Sequence, residues 1–163
     1  MAPLPASQRY FKRGTSVCKF LTTIADLAAG PTRAELTAGT DLSHEIAEVD
    51  GWTVTSESIE TPDLGSEFTS SIPGSTSADD SSITFYESID GEDVRALLPR
   101  NTNGYVVWMD GGDVPGYLMD VFPIRVASQG KTRSTDDDAA TIVINFSITR
   151  EPVENLTIPA AAP

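Results

Sequence analysis

The chain has 163 residues, of which 39% are hydrophobic, and a formal net charge of −13. This length suits one domain, and the many Ser, Thr, Gly and Pro residues favour a β-rich fold with frequent turns over a helical bundle. No apolar run reaches the roughly 20 residues that cross a bilayer. The first residues lack the apolar segment of a signal peptide, so we expect a soluble protein made in a cytoplasm.

Charge is distributed unevenly along the sequence. Within the first 20 residues every charged side chain is basic: Arg9, Lys12, Arg13 and Lys19. No Lys or Arg occurs between Arg33 and Arg95, while fifteen carboxylates occur from Glu35 to Asp93. Such an acidic surface either repels polyanions or meets a basic partner, and it argues against nucleic-acid binding, which needs cations facing phosphates. A solvated surface that only aids solubility is the simpler alternative.

Three parts are predicted: an N-terminal arm at 1–15, a β domain at 16–150 and a C-terminal extension at 151–163 that leaves the sheet. The arm has prolines and no core of its own, so we expect contact with something else to order it. The β domain opens with a strand at 16–24, and its residue Cys18 is predicted to be a small buried hydrophobe rather than a nucleophile or metal ligand. Residues 32–39 are predicted as a strand, with a single helical turn as the alternative.

The segment 43–61 is predicted to form a hairpin of two polar strands. Asp50 and Gly51 form the dipeptide that favours a tight type I′ turn. At least one face of this hairpin is expected to be solvated, because its strands carry Glu45, Glu48, Glu57 and Glu60. Residues 62–80 are predicted as a long polar loop, which in compact domains is usually functional or disordered. Its recurring apolar side chains suggest an anchor on another subunit: Leu64, Phe68 and Ile72.

The densest apolar region, 81–126, is predicted to be a strand, a helix and two further strands. The first strand alternates at 81–88, with Ile83 and Phe85 on one face. A helix at about 91–98 is predicted to begin at Asp90 as its N-cap and to end at Pro99. The helix is too short to be stable alone, so it must dock on the sheet that the apolar runs 103–112 and 116–126 form.

The last part of the β domain is predicted as an exposed loop at 127–138 and a strand at 141–149. This strand alternates most regularly of all: Ile142, Ile144, Phe146 and Ile148 are expected to face a core, and the residues between them face away.

The sequence predicts no catalytic, cofactor or metal site. His44 is the only histidine, in a polar segment predicted as strand, and no serine has the context of an activated nucleophile. The three acids 136–138 lack the alternate spacing and the glycine of a calcium loop, so a solvated turn is the better interpretation. Trp52 and Trp108 could form a sugar-binding platform, although in strands such residues are more often core or interface anchors.

Several ordered blocks resemble a known family. The stretches GWTVTSESIETPDLGSEFTSSIPG, DSSITFYES, DVRALLPRNTNGYVVWMDGGDVPG and FPIRVASQGK are similar to the major tail tube proteins of long-tailed phages with non-contractile tails, particularly those infecting actinobacteria. The resemblance covers about residues 9–158. It implies a mainly β fold, a sandwich or barrel-like domain with one flanking helix at about 91–98.

The resemblance also implies how the protein works. In that family six copies close a ring, and stacked rings form the hollow tube through which DNA leaves the capsid. The implied partners are other copies of the chain, the tape measure, the tail terminator and the tip or baseplate proteins. The implied location is the virion, after assembly in the bacterial cytoplasm, with no cofactor and no membrane insertion. Family rings interlock through long loops and terminal arms, which correspond here to 62–80 and 1–15, with Arg9, Lys12 and Arg13 in the arm.

A channel for DNA should repel phosphate, so we expect carboxylates on its wall. The candidates are the acids of the 43–61 hairpin: Glu45, Glu48, Glu57 and Glu60. An alternative from a different class is a non-enzymatic β-sandwich binding module, such as a carbohydrate-binding domain or a capsid decoration protein. An enzyme is the third possibility, and its best-supported version would depend on His44.

Overall fold

A computed structural model describes residues 2–161. Met1, Ala162 and Pro163, the ends of the predicted arm and extension, lie outside the described residues. The fold is mainly β, as predicted. Its elements in chain order are β1 Val17–Leu21, α1 Arg33–Ala38, β2 Thr40–Asp41, β3 Ile46–Asp50, β4 Val54–Thr61, β5 Ser70–Ala78, β6 Ser81–Tyr86, α2 Val94–Leu97, β7 Asn103–Met109, β8 Leu118–Thr132, β9 Thr141–Ile148 and β10 Val153–Thr157.

Eight of the strands form one antiparallel sheet that curls on itself. The strand order is β2-β1-β7-β8-β9-β6-β3, and β10 pairs with β8 beside β9. The two edge strands, β2 and β3, are joined by only the four residues 42–45. This linker is bonded to both edges, because Leu42 N donates to Cys18 O of β1 and Tyr86 N of β6 donates to Glu45 O. The sheet is therefore barrel-like.

The curled sheet has an apolar cluster on each face. The inner cluster is formed by alternate residues of β1, β6, β7, β8 and β9, together with α2. On β8 the even-numbered Phe122, Ile124 and Val126 point into it. The odd-numbered Met119 and Val121 point to the outer face, where α1 covers them with Leu36. Because side chains alternate along a strand, successive residues of β8 point in turn into the inner and the outer cluster.

The predicted strands around this core are confirmed, including the inward faces of β6 and β9. Ile83, Phe85, Ile142, Ile144 and Phe146 are all buried. Cys18 is buried as predicted, and burial raises the pKa of its thiol, which favours the neutral form.

Both short helices differ from the predictions. Residues 33–38 form α1 instead of a strand, because Thr32 and Glu35 make a reciprocal capping box. In α2 the N-cap is Asp93 rather than Asp90, and its side chain accepts from Arg95 N. Asp90 instead lies in the preceding turn, where it accepts from Glu92 N at 3.0 Å.

The predicted 43–61 hairpin is wrong in its pairing. Gly51 has positive φ, but the strands on its two sides do not pair with each other. β3 pairs with β6, since Ile46 and Val49 find apolar partners in Phe85 and Ile83. β4 pairs instead with β5, which lies inside the predicted 62–80 loop, so only 62–69 remains a loop.

Two further corrections concern the second half of the chain. β8 continues to Thr132 because its second half pairs with β9, so residues 127–132 are strand rather than loop. The chain after Glu151 does not leave the sheet: β10 pairs with β8, and Ile158 is buried against the outer cluster.

Candidate assembly surfaces

The most exposed element is the projecting hairpin, which we define as β4, the loop 62–69 and β5. Its strands continue the β3–β6 pair in the chain, through residues 51–53 on one side and Asp79 and Asp80 on the other. Not one of its residues is fully buried. An isolated two-stranded hairpin is marginally stable at best in water, so we expect contact with a partner to stabilise this element.

The projecting hairpin combines apolar and acidic side chains. Ile59 and Ile72 are direct cross-strand partners and are about half exposed, at 51% and 52%. At the tip, Leu64 and Phe68 are exposed. Its charged residues are all acidic: Glu57, Glu60, Asp63 and Glu67. An apolar surface bordered by one sign of charge is typical of an interaction site.

The hairpin is joined to the barrel at a kink held by Trp52. This residue has a φ of 63°, which is uncommon for a bulky side chain. Its backbone N donates to Ser81 Oγ at 2.9 Å and its indole Nε1 donates to Ser82 O at 3.3 Å. The indole ring lies 5.3–5.6 Å from the rings of Phe122, Phe146 and Trp108. The packing therefore fixes the direction in which the hairpin leaves the barrel.

A cleft opens beside this kink at the end of the barrel. Its volume is about 480 Å³, and its apolar lining includes Ile46, Val49, Trp52, Trp108 and Phe122. The indole N–H of Trp108 is buried and has no hydrogen-bond partner among residues 2–161. A buried donor without a partner costs about 1–3 kcal/mol, so the wall of this cleft is less stable than one in which this N–H is bonded.

The N-terminal arm borders the same end of the barrel. Lys12 Nζ donates to Asp110 at 3.0 Å, and both side chains are largely solvated. Arg9 and Arg13 are exposed and make no ion pair within the described part of the chain. Leu4, Tyr10 and Phe11 are also exposed, so the arm, like the hairpin, presents apolar side chains to solvent.

The outer face of β3, β6 and β9 is polar and lies beyond the region that α1 covers. Glu48 and Asp50 pair directly with Thr84 and Ser82, which point away from the inner core. On β9 this face continues with Thr141, Asn145, Ser147 and the apolar Val143, and none of the three strands contains Lys or Arg. The three strands therefore present acids and no cations of their own, although Arg133 lines a depression beside Glu48 and Thr84, and Arg125 of β8 is the cross-strand neighbour of Ser147.

The predicted site residues fall on separate surfaces. Glu45 is exposed in the 42–45 linker, and Glu48 lies on β3. Glu57 and Glu60 lie on the hairpin, on opposite faces, because they are three residues apart in a strand. Leu64 and Phe68 lie in the loop 62–69 and Ile72 lies on β5, so all three belong to the projecting hairpin. The structure does not bring all four acids onto one surface.

Two ion clusters stabilise the loops. Asp93 is nearly buried and accepts from Arg95 Nη2 at 2.7 Å and from Ser88 N at 3.0 Å, and these contacts, led by the Arg95 side chain, lower its pKa to about 2. Asp113 accepts hydrogen bonds from Arg33 and, at 2.8 Å, from Lys19. Both contacts lower its pKa, and the contact with Arg33 contributes most. This second cluster ties α1 to β1.

Features that would indicate other chemistry are weak. His44 is exposed and lies in the 42–45 linker, not in a strand as predicted. Residues 2–161 contain no group of three or more His, Cys, Asp or Glu that could hold a metal ion. Within this part of the chain no helix has the length and apolar character to cross a membrane. Trp52 is packed by three aromatic rings, so it offers no free flat platform for a sugar.

Comparison with known proteins gives one family and several related folds. A family model described as phage tail tube protein matches residues 4–161. The sheath/tube terminator of an extracellular contractile injection system has a TM-score of 0.65 at 10% identity, over 92% of this chain and 99% of that one. A chain of the six-fold symmetrised baseplate of the anti-feeding prophage has a TM-score of 0.57 at 10% identity, over 96% and 98%. Among curated protein sequences none matches significantly.

Proposed function

This chain belongs to the phage tail tube protein family, and we propose that it is the subunit of a hollow tail tube through which the genome passes. Six copies close each ring and the rings stack. Further partners are the tape measure, terminator and tip or baseplate proteins. The role is structural rather than enzymatic, in the virion, after assembly in the host cytoplasm.

The observation that carries the proposal is the projecting hairpin. It is exposed on both faces and presents Ile59, Leu64, Phe68 and Ile72 to solvent. Burying such side chains stabilises an interface by about 25 cal/mol per Å² of apolar area, whereas leaving them exposed invites aggregation. Such an exposed hairpin is expected in a subunit that functions within a polymer, where neighbouring copies bury its apolar side chains.

We place the polar outer face of β3, β6 and β9 on the channel wall. Its acids Glu48 and Asp50 repel phosphate, and the screening length of about 8 Å at physiological salt lets a wall carboxylate act on passing DNA. Glu45 lies at the edge of this face, on the 42–45 linker. At most one of Glu57 and Glu60 can join the wall, because they point to opposite faces of the hairpin.

The finer assignment is a long, non-contractile tail of an actinobacterial phage. It is supported by the ordered sequence blocks, of which the longest is GWTVTSESIETPDLGSEFTSSIPG. The injection-system structures share 10% identity with this chain and so support the fold alone.

The experiment is negative-stain electron microscopy of the purified protein across a concentration series, alone and with tail tip components. We expect six-fold rings or hollow tubes whose amount rises with concentration. A protein that stays monomeric even with tip components would contradict the proposal and favour the binding-module alternative.

A further inference from the structure

The cleft beside the kink is shaped to receive side chains that the isolated chain does not supply. Its lining is mostly apolar, and it is open to solvent at the side of Val49, which is 42% exposed. The Trp108 indole, whose buried N–H has no hydrogen-bond partner within residues 2–161, forms part of the wall.

The charged side chains around the cleft include one cation that is available to an occupant. Two carboxylates at the cleft are already engaged: Asp110 accepts from Lys12 at 3.0 Å and Asp120 accepts from Asn155 N at 2.7 Å. Arg13 lines the cleft and has no ion pair among the described residues. A carboxylate brought by an occupant can therefore pair with Arg13.

The hairpin tip has the matching chemistry. In the loop 62–69 the exposed apolar Leu64 follows Asp63, and the exposed Phe68 follows Glu67. The tip cannot enter the cleft of its own chain. The hairpin begins at the cleft, and β4 has eight residues, so the tip lies about 26 Å away at roughly 3.3 Å per residue.

We propose that the cleft lined by Val49, Trp52 and Trp108 binds the hairpin tip of a second copy, with Phe68 in the apolar part and Glu67 at Arg13. This inference rests on the proposed tail tube function, and it assigns the receiving site on the neighbouring subunit. Tip and cleft are different surfaces at opposite ends of one hairpin, so the contact is head-to-tail. Repeated contacts of this type generate an open polymer unless a rotation closes them.

Disulfide trapping tests the contact directly. In a Cys18→Ala background, the single variants Phe68→Cys and Val49→Cys are mixed and oxidised, and linked peptides are identified by mass spectrometry. The matched control replaces Val49→Cys with Ile89→Cys, which is fully exposed and follows the far end of β6. We expect the 68–49 link to form at least about tenfold faster than the 68–89 link. Equal rates would overturn the docking proposal.

A charge exchange adds an independent readout. Arg13→Glu and Glu67→Lys are each expected to slow formation of the 68–49 link by about two- to fivefold, and mixing the two variants so that the signs match again is expected to restore it. No recovery in the matched mixture would contradict the assigned ion pair.

Electron microscopy of the same samples separates the two proposals. Tubes without the 68–49 link would overturn the docking site and leave the tail tube function standing. A 68–49 link in particles that form neither rings nor tubes would support the docking site and contradict the tail tube function.

Discussion

Trp52 is expected to be the residue on which the position of the projecting hairpin most depends. The informative change is Trp52→Ala, which removes three aromatic contacts at 5.3–5.6 Å and the hydrogen bond to Ser82 O. Truncating a buried Trp or Phe to Ala costs about 3–5 kcal/mol. Trp52 is only partly buried, so we expect the lower end of this range, a loss of about 3 kcal/mol in the free energy of unfolding. The positive φ at this position is unfavourable for Ala as well, so the substitution does not relieve it.

The assay is urea unfolding followed by far-UV circular dichroism, at a concentration below that of assembly. The matched control is Phe68→Ala, an aromatic truncation at a side chain that is 76% exposed, with an expected change below about 0.5 kcal/mol. Limited proteolysis supplies a second readout, since an unanchored hairpin should be cut faster at residues 51–53. A loss below about 1 kcal/mol for Trp52→Ala, with unchanged proteolysis, would refute the anchoring role.

Three further predictions concern acid stability, core packing and the channel. The pKa of Asp93 is lowered to about 2, so the ionised side chain contributes roughly 1–2 kcal/mol to the free energy of unfolding above pH 4, and this contribution is lost as the pH falls towards 2. Asp93→Asn should flatten that part of the stability–pH curve. An unchanged curve would contradict the role of Asp93 in acid stability. A methyl group at Gly104 would overlap the Phe20 ring and lie 2.8 Å from Leu21 O, so Gly104→Ala should lower the free energy of unfolding in urea by about 1–3 kcal/mol. The control Gly130→Ala should be neutral, because its methyl group would lie 3.9 Å from the nearest atom. Equal effects of the two changes would contradict the predicted clash with Phe20. Glu48→Lys with Asp50→Lys should leave tubes intact and slow DNA ejection from reconstituted virions, and an unchanged ejection rate would remove these acids from the channel wall.

The strands that could be predicted from sequence are those with a buried face. β6 and β9 show a period of two because Ile83, Phe85, Ile142 and Ile144 pack in the inner core. β5 could not be found in this way: apart from Ile72 and Ala78 its residues are Ser, Thr, Pro and Gly, and because neither face is buried there is no alternation to detect. α1 was open to prediction, since Thr32 and Glu35 have the spacing of a capping box.

The pairing of the strands depended on information that is not local. Asp50 and Gly51 favour a hairpin turn, but Ile46 and Val49 gain more by packing beside Phe85 and Ile83, far along the chain. The anchoring role of Trp52 was equally hidden, because neither its positive φ nor its contacts with Phe122 and Phe146 can be recognised in the local sequence. Which acids share a surface followed from this pairing, so the sequence could propose Glu45, Glu48, Glu57 and Glu60 only as one group.

The central claim is that this chain builds a hollow tube, and cryo-electron microscopy of the assembled polymer tests it most directly. We expect stacked rings of six copies around an open channel, with the outer face of β3, β6 and β9 on the channel wall and Glu48 directed inward. A solid fibre, or a tube whose channel is lined by the α1 surface, would contradict it.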